Sequence, residues 1–232
     1  MIVAVLVAVA VVGAAVYFLV GRGSSTSAAT TPSPQQQADS AILRLDDLPA
    51  GFATSSSSSS SNSDDSAKQS ADKCFSETTG ISDSDSDDAA NKTADAKSKF
   101  ESNSAGSVTV EAEVEFDRDP NPGSSALHVF TSPEVMACYQ KLFEDSFAEK
   151  SVTLSDYQQV AVGLPAVGDE RAGFEADFTV TGNTGRTARV GFVFAVVRKG
   201  DAFVTMAATG VNSDAAVGLV TDGLTTMVGR LS

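Results

Sequence analysis

The sequence predicts an α+β fold: an antiparallel β-sheet flanked by helices, preceded by a disordered stalk and an N-terminal transmembrane helix. Three observations lead there. Residues 1 to 20 are uncharged and mostly apolar, residues 24 to 106 are dominated by Ser, Ala, Thr and Asp, and residues 107 to 232 switch between two-residue and helical apolar periodicity.

The opening run, MIVAVLVAVAVVGAAVYFLV, is expected to cross a bilayer. At about 1.5 Å per residue a helix of this length spans about 30 Å, the thickness of the hydrocarbon layer. A cleaved secretory signal is the competing reading, since Ser27, Ala28 and Ala29 present small residues to a signal peptidase. They lie far beyond the apolar run, which is itself longer than a usual signal core. No cysteine follows closely, so a lipid-modified N-terminus has no acceptor. Arg22 sits on the C-terminal side and by itself argues for a cytoplasmic C-terminus. Against it, GRGSSTSAATTPSPQQQ has the composition of an exported stalk, and two cysteines suit an oxidising compartment. The absence of basic residues ahead of the apolar run leaves room for a cytoplasmic part upstream of Met1.

Residues 21 to 37 are expected to be a Ser/Thr/Pro-rich linker, and the folded domain to run from 38 to 232. In ADSAILRLDDLPAGFA, Ile42, Leu43, Leu45 and Leu48 precede Pro49 and Gly51, the pattern of a short helix or turn docked on something larger. From about 54 to 106 the chain reads as a disordered loop. It opens with Ser55 to Ser61 and carries too little apolar surface to offset its chain entropy. Within it, Asp83, Asp85 and Asp87 superficially resemble a calcium loop. The central glycine is missing and Ala94 stands where a bidentate Glu is needed, so a solvated acidic coil is the better reading.

SVTVEAEVEF sets Val108, Val110, Ala112, Val114 and Phe116 on one side and Thr109, Glu111, Glu113 and Glu115 on the other, a strand with one wet face. DRDPNPGSS is a turn, and ALHVF a short strand. Thr131 with Glu134 forms a capping-box pattern with Pro133 in the first turn. Val135, Cys138, Tyr139, Leu142, Phe143 and Phe147 then share the apolar side of a helix. Ala172, Phe174, Ala176, Phe178 and Val180 alternate along the next strand, which turns through TGNTG into RTARVGFVFAVVR and through KGD into AFVTMAAT, an antiparallel meander. Ser213 and Asp214 open a last helix carrying Val217, Val220, Leu224, Met227, Val228 and Leu231.

LRLDDLPAGF, a cysteine after a loop, a helix bearing a second cysteine, GLPAVGDERAGFEADF and VVRKGDAFVTMAATG together resemble a group of actinobacterial envelope domains. These include the extracellular sensor domains of receptor-type serine/threonine kinases and related anchored or lipidated sensor-like proteins. The resemblance covers residues 38 to 232 and implies a helix-flanked antiparallel sheet, disulfide stapling and a groove for an unidentified ligand. It also implies that the serine run is internal to the domain and closed by a Cys74–Cys138 disulfide. Two unpaired thiols are the alternative, and the oxidising compartment favours the pair. No kinase domain is present in these residues.

Composition and motifs exclude several functions. The net charge of -14 is shared by both halves of the soluble part, and no Lys/Arg cluster offers a nucleic acid its counterion release. His128, the only histidine, lies between Leu127 and Val129 with no second His or thiolate cluster, so a structural role is expected and no metal site. No Gly-x-Ser-x-Gly elbow or phosphate loop is present, and no cofactor or catalytic residue is assigned. The chain is therefore expected to be a non-enzymatic, membrane-anchored extracytoplasmic protein that binds an envelope lipid, glycan or small molecule. The alternative is a structural or cell-wall interaction protein without a ligand.

Overall fold

The computed structural model describes residues 32–55, 73–75, 77–78, 92–102, 108–118, 127, 131–148, 151–210 and 213–231. The expected transmembrane run, His128 and the Asp83, Asp85, Asp87 motif lie outside them. No helix among the described residues is long and apolar enough to cross a membrane.

Among the described residues, seven antiparallel strands form one sheet in the order β1-β2-β3-β7-β6-β5-β4: β1 Phe52–Thr54, β2 Lys92–Ser102, β3 Val108–Asp117, β4 Thr153–Ala161, β5 Glu170–Thr181, β6 Thr187–Lys199 and β7 Ala202–Gly210. The meander β5-β6-β7 follows the expected alternation. It turns between β6 and β7 through Gly200 and Asp201, Lys199 pairing with Ala202, and Gly200 takes φ +60 at the first central position, as a two-residue hairpin of type II′ requires. β3 then pairs with β7, which puts β2 and β1 outermost on that side and leaves β4 as the opposite edge.

Helices cover both faces. Helix α1 (Pro34–Ala41) and helix α3 (Ser213–Arg230) pack on one, where Val110, Ala112 and Val114 of β3, Val204 and Met206 of β7, and Val193 and Val197 of β6 meet Ala38, Leu43, Val220, Leu224 and Met227. Helix α2 (Pro133–Ala148) packs on the other, against Phe174, Ala176, Phe178, Phe192 and Phe194. β6 is buried from both sides, which explains its nearly continuous apolar run.

Several expectations need correction. The polar stretch from 54 to 106 is not wholly a loop: Lys92–Ser102 forms β2, with Ala94 and Phe100 in the core. The folded part begins before residue 38, because α1 starts at Pro34 with Ser33 as its cap. Ser33 Oγ accepts from the Gln36 amide at 3.2 Å, and Gln36 Oε1 accepts from the Ser33 amide at 2.9 Å. The cap of α2 is Ser132, not Thr131; its hydroxyl accepts from the Val135 amide at 3.3 Å. Leu127, expected in a strand, is helical and buried. Finally, the glutamate side of β3 is not wet. Glu115 is 8% exposed, and lysines from β2 pair with this row: Lys99 with Glu111 at 2.7 Å, Lys97 with Glu113 at 2.8 Å and Lys92 with Glu115 at 2.8 Å.

The two sides of the serine run return to the same sheet edge. Thr54 of β1 pairs with Phe100 of β2, and the Ser55 amide donates to the Lys99 carbonyl at 3.0 Å. The run is therefore an excursion within one domain. At the far end of the chain, Arg230 of α3 forks onto Asp47, Nη1 to Oδ2 at 2.8 Å and Nη2 to Oδ1 at 2.5 Å, and also donates to the Ile42 carbonyl at 3.2 Å. LDDLPAGF is thus locked to the terminal helix.

Candidate binding seam between helix α2 and edge strand β4

Helix α2 runs antiparallel to β4 because the short connection at Ser151 and Val152 returns the chain directly onto the sheet edge. Its apolar side lays an aromatic row over β5 and β6. Tyr139 stacks on Phe174 at 4.6 Å and lies farther from Phe194, at 6.3 Å, so its ring is displaced toward the β4 side. One turn on, Phe143 meets Phe192 at 5.2 Å and Phe178 at 5.3 Å, and Phe147 meets Phe178 at 5.6 Å. Such ring pairs add packing beyond their buried area.

β4 closes the side of this layer, and a bulge sets what it presents. The register slips between Ser155 and Gln158, with Asp156 at φ +53, a left-handed conformation that Asp tolerates better than most residues. Leu154 opposite Val180 and Gln159 opposite Ala176 consequently face the aromatic layer, joined by Tyr157, whose ring stacks on Phe178 at 6.0 Å. Ala176 is the small residue between Phe174 and Phe178, so the polar end of Gln159 meets the layer where β5 projects least.

Among the described residues of α2 and β4, three buried polar atoms have no partner: Ser146 Oγ, Tyr139 Oη and Gln159 Nε2. Tyr139, fully buried, leaves its Oη without a hydrogen bond, and the Nε2 of Gln159, shut off from solvent, also has none. The Tyr157 hydroxyl donates to Gln159 Oε1 at 2.5 Å, which uses the acceptor side of that amide and leaves its donor side. Burial, and then the neighbouring Tyr157 phenol, push Tyr139 far above the ordinary tyrosine range; burial, and then the Glu144 carboxylate, do the same to Tyr157. Both phenols stay protonated at neutral pH and serve as donors. Buried polar groups without partners are few in folded proteins, and each calls for an explanation.

At the N-terminal end of α2, Thr131, Ala161, Val162, Leu164, Arg171, Ala172 and Gly173 line a surface cleft of about 180 Å³ that neither Tyr139 nor Gln159 enters. Ala161 pairs with Phe174, the residue under Tyr139, so the cleft floor and the aromatic layer are adjacent along β4 and β5. Gly173 lets the strands close here, since a Cβ on it would stand 2.7 Å from the Phe194 carbonyl oxygen.

The cysteines complete the wall. Cys74 and Cys138 form a disulfide with Cα atoms 5.6 Å apart, and Cys138 directly precedes Tyr139. The crosslink holds Phe75 edge-on against the Tyr139 ring at 4.9 Å. The carboxylates Glu111, Glu113 and Glu115, in contrast, belong to the lysine ladder on the β2–β3 side of the sheet. Among the described residues no group of three or more His, Cys, Asp or Glu is placed to hold a metal ion. Sequence reading placed Tyr139 on an apolar helix face and assigned nothing to Tyr157 or Gln159. The placing of Gln159 on the same face as Leu154 depends on the β4 bulge, whose one sequence sign is Asp156 interrupting the apolar alternation.

No protein-family model matches the chain, and a search of curated proteins finds no match. Among solved structures, the crystal structure of LpqN involved in cell envelope biogenesis of Mycobacterium tuberculosis is similar at a TM-score of 0.29 and 8% identity, over 57% of this chain and 68% of that one. A likeness that weak carries no argument about this chain.

Proposed function

We propose that the protein is a non-catalytic ligand-binding module of the cell envelope, held outside the cytoplasmic membrane by residues 1 to 20, and that its ligand enters the seam between α2 and β4. The observation that carries this reading is the pair of unpartnered donors, Tyr139 Oη and Gln159 Nε2, set in an aromatic layer next to a surface cleft. An apolar site with a few convergent polar groups is the usual form of a small-molecule pocket. The apolar N-terminal run, the stalk composition and the disulfide support the exported location.

The test is a thermal-shift screen of the full chain in dodecyl maltoside against fractionated envelope extract. A ligand of the folded state at a hundredfold excess over its Kd adds about 2.7 kcal/mol, a rise of about 5–10 °C for a domain of this size. A fraction that raises the Tm and is recovered chemically unchanged is the expected result. No shift with any fraction, or consumption of the active component, contradicts it. Protease added to intact spheroplasts should remove the folded domain; full protection until lysis would place it on the other side.

A further inference from the structure

The two edges of the sheet are built differently. On one side the outermost strand, β1, is three residues long. Behind it β2 carries Lys92, Asp95 and Lys97, and the Asp95 carbonyl already accepts from Gln35 Nε2 of α1 at 2.8 Å. Shortness, charge and a covering side chain are the usual means by which sheet edges avoid pairing with other chains. β4, the opposite edge, has none of these beyond its bulge. From Gln158 to Val162 it is uncharged, and Val160 in the middle is 53% exposed.

The backbone of this stretch is arranged for pairing. The Val162 amide donates to the Gly173 carbonyl at 3.0 Å, and antiparallel bonding alternates along a strand. Val160 and Gln158 therefore also bond inward to β5, while Gln159 and Ala161 turn their N–H and C=O groups outward, flanking Val160 symmetrically. A second β4 laid antiparallel about a two-fold axis at Val160 pairs Gln159 with Ala161 of the partner subunit, and Val160 packs on its own copy. Only this register maps residues 158 to 162 onto themselves and keeps both the Asp156 bulge and Pro165 out of the ladder. The ends match in charge as well. Asp156 is exposed at the N-terminal end, its carboxylate accepting from the Ser155 hydroxyl at 3.2 Å. Arg171, exposed and without an ion pair among the described residues, stands beside Ala161 and Val162 at the other end. Antiparallel pairing brings the acidic end of each copy to the basic end of the other; parallel pairing sets like against like.

We infer that β4 is a self-association edge, through which two copies of the chain join at residues 158 to 162 into one continuous sheet with a two-fold axis at Val160. The ladder is shorter than a standard interface, so association is weak and rises with concentration. It does not depend on whether the seam holds a ligand.

The experiment uses the full chain in dodecyl maltoside. Its two cysteines are consumed by the disulfide, so an introduced thiol reports alone. Under mild oxidation Val160→Cys, whose copies face each other at the spacing a disulfide needs, should give a covalent dimer about tenfold faster or more than Thr153→Cys, which is exposed on the same strand beyond the bulge. Val160→Lys, which sets two ammonium groups together at the axis, and Ala161→Pro, which removes an outward amide, should each weaken the dimer seen by light scattering about tenfold or more. The Val160→Lys side chain is solvent-exposed in the monomer, so its circular dichroism spectrum should match the parent's. A monomer at every concentration, equal crosslinking at positions 153 and 160, or a dimer indifferent to both substitutions overturns the inference; the last would place the contact elsewhere, as pairing through the apolar N-terminal run would.

Discussion

Replacing Tyr139 by Phe should stabilise the ligand-free protein. The ring is fully buried and its aromatic contacts among the described residues, to Phe174 at 4.6 Å, Phe75 at 4.9 Å and Phe194 at 6.3 Å, do not involve the hydroxyl. That hydroxyl has no hydrogen-bond partner. Leaving a buried polar group unsatisfied costs about 1–3 kcal/mol. Deleting the oxygen leaves a void on the order of 10 Å³, which at about 24 cal/mol per Å³ costs only about 0.2 kcal/mol. The net gain is about 1–2.5 kcal/mol, a Tm rise of about 2–10 °C. Urea unfolding followed by far-ultraviolet circular dichroism measures it, and the midpoint should move with the slope unchanged. A loss of about 1 kcal/mol or more would mean that the hydroxyl is satisfied within the protein and is no vacant donor.

Three further outcomes follow from other parts of the molecule. Replacing both cysteines by Ser releases a closure spanning 64 residues and should cost about 4 kcal/mol in the chain-entropy model, read as a fall in denaturation midpoint that reduction of the parent protein reproduces. Asp47→Asn removes the fork with Arg230 and should cost about 1–2 kcal/mol at neutral pH. The hydrogen bond from Arg230, the chief cause, holds the Asp47 carboxyl below its ordinary value, so its contribution is present above about pH 4 and disappears as pH falls through the folded value; an acid titration of the variant should show a shallower acid limb. Glu115 behaves oppositely. Burial, opposed by Lys92, pushes it up to about 8, so the folded state binds the extra proton and stability should fall as pH rises from about 4.5 to about 8, by at most about 1.4 kcal/mol per pH unit. Thermal melts across that window should slope for the parent protein and flatten for Glu115→Gln.

Most of the architecture was legible because it obeys a single period. β3, β5, α2 and α3 alternate or recur as their burial demands, and β6 and β7 are joined by a glycine turn with one interpretation. β2 escaped notice because its buried side is Ala94, Ala96, Ser98 and Phe100, too weakly apolar to stand out from a Ser/Asp-rich tract. Its signal was electrostatic: Lys97 and Lys99 answer Glu113 and Glu111 on a strand running the other way, and that match appears only once the two segments are paired. β4 was missed for a different reason. The bulge at Asp156 breaks the two-residue period, so Leu154 and Gln159 share a face that their odd spacing in sequence denies them. The candidate seam inherits that obscurity, since Gln159 reads as an ordinary polar strand residue until β5 and α2 enclose it.

The most direct measurement of the central claim is the response of the labelled aromatic rings of the full chain to envelope lipid extract. Binding in the seam predicts that Tyr139, Tyr157, Phe143 and Phe174 shift together and saturate, while Phe100 and Phe116, on the α1–α3 side of the sheet, stay in place. Shifts confined to Phe100 and Phe116, or no saturable shift in any ring, would contradict it.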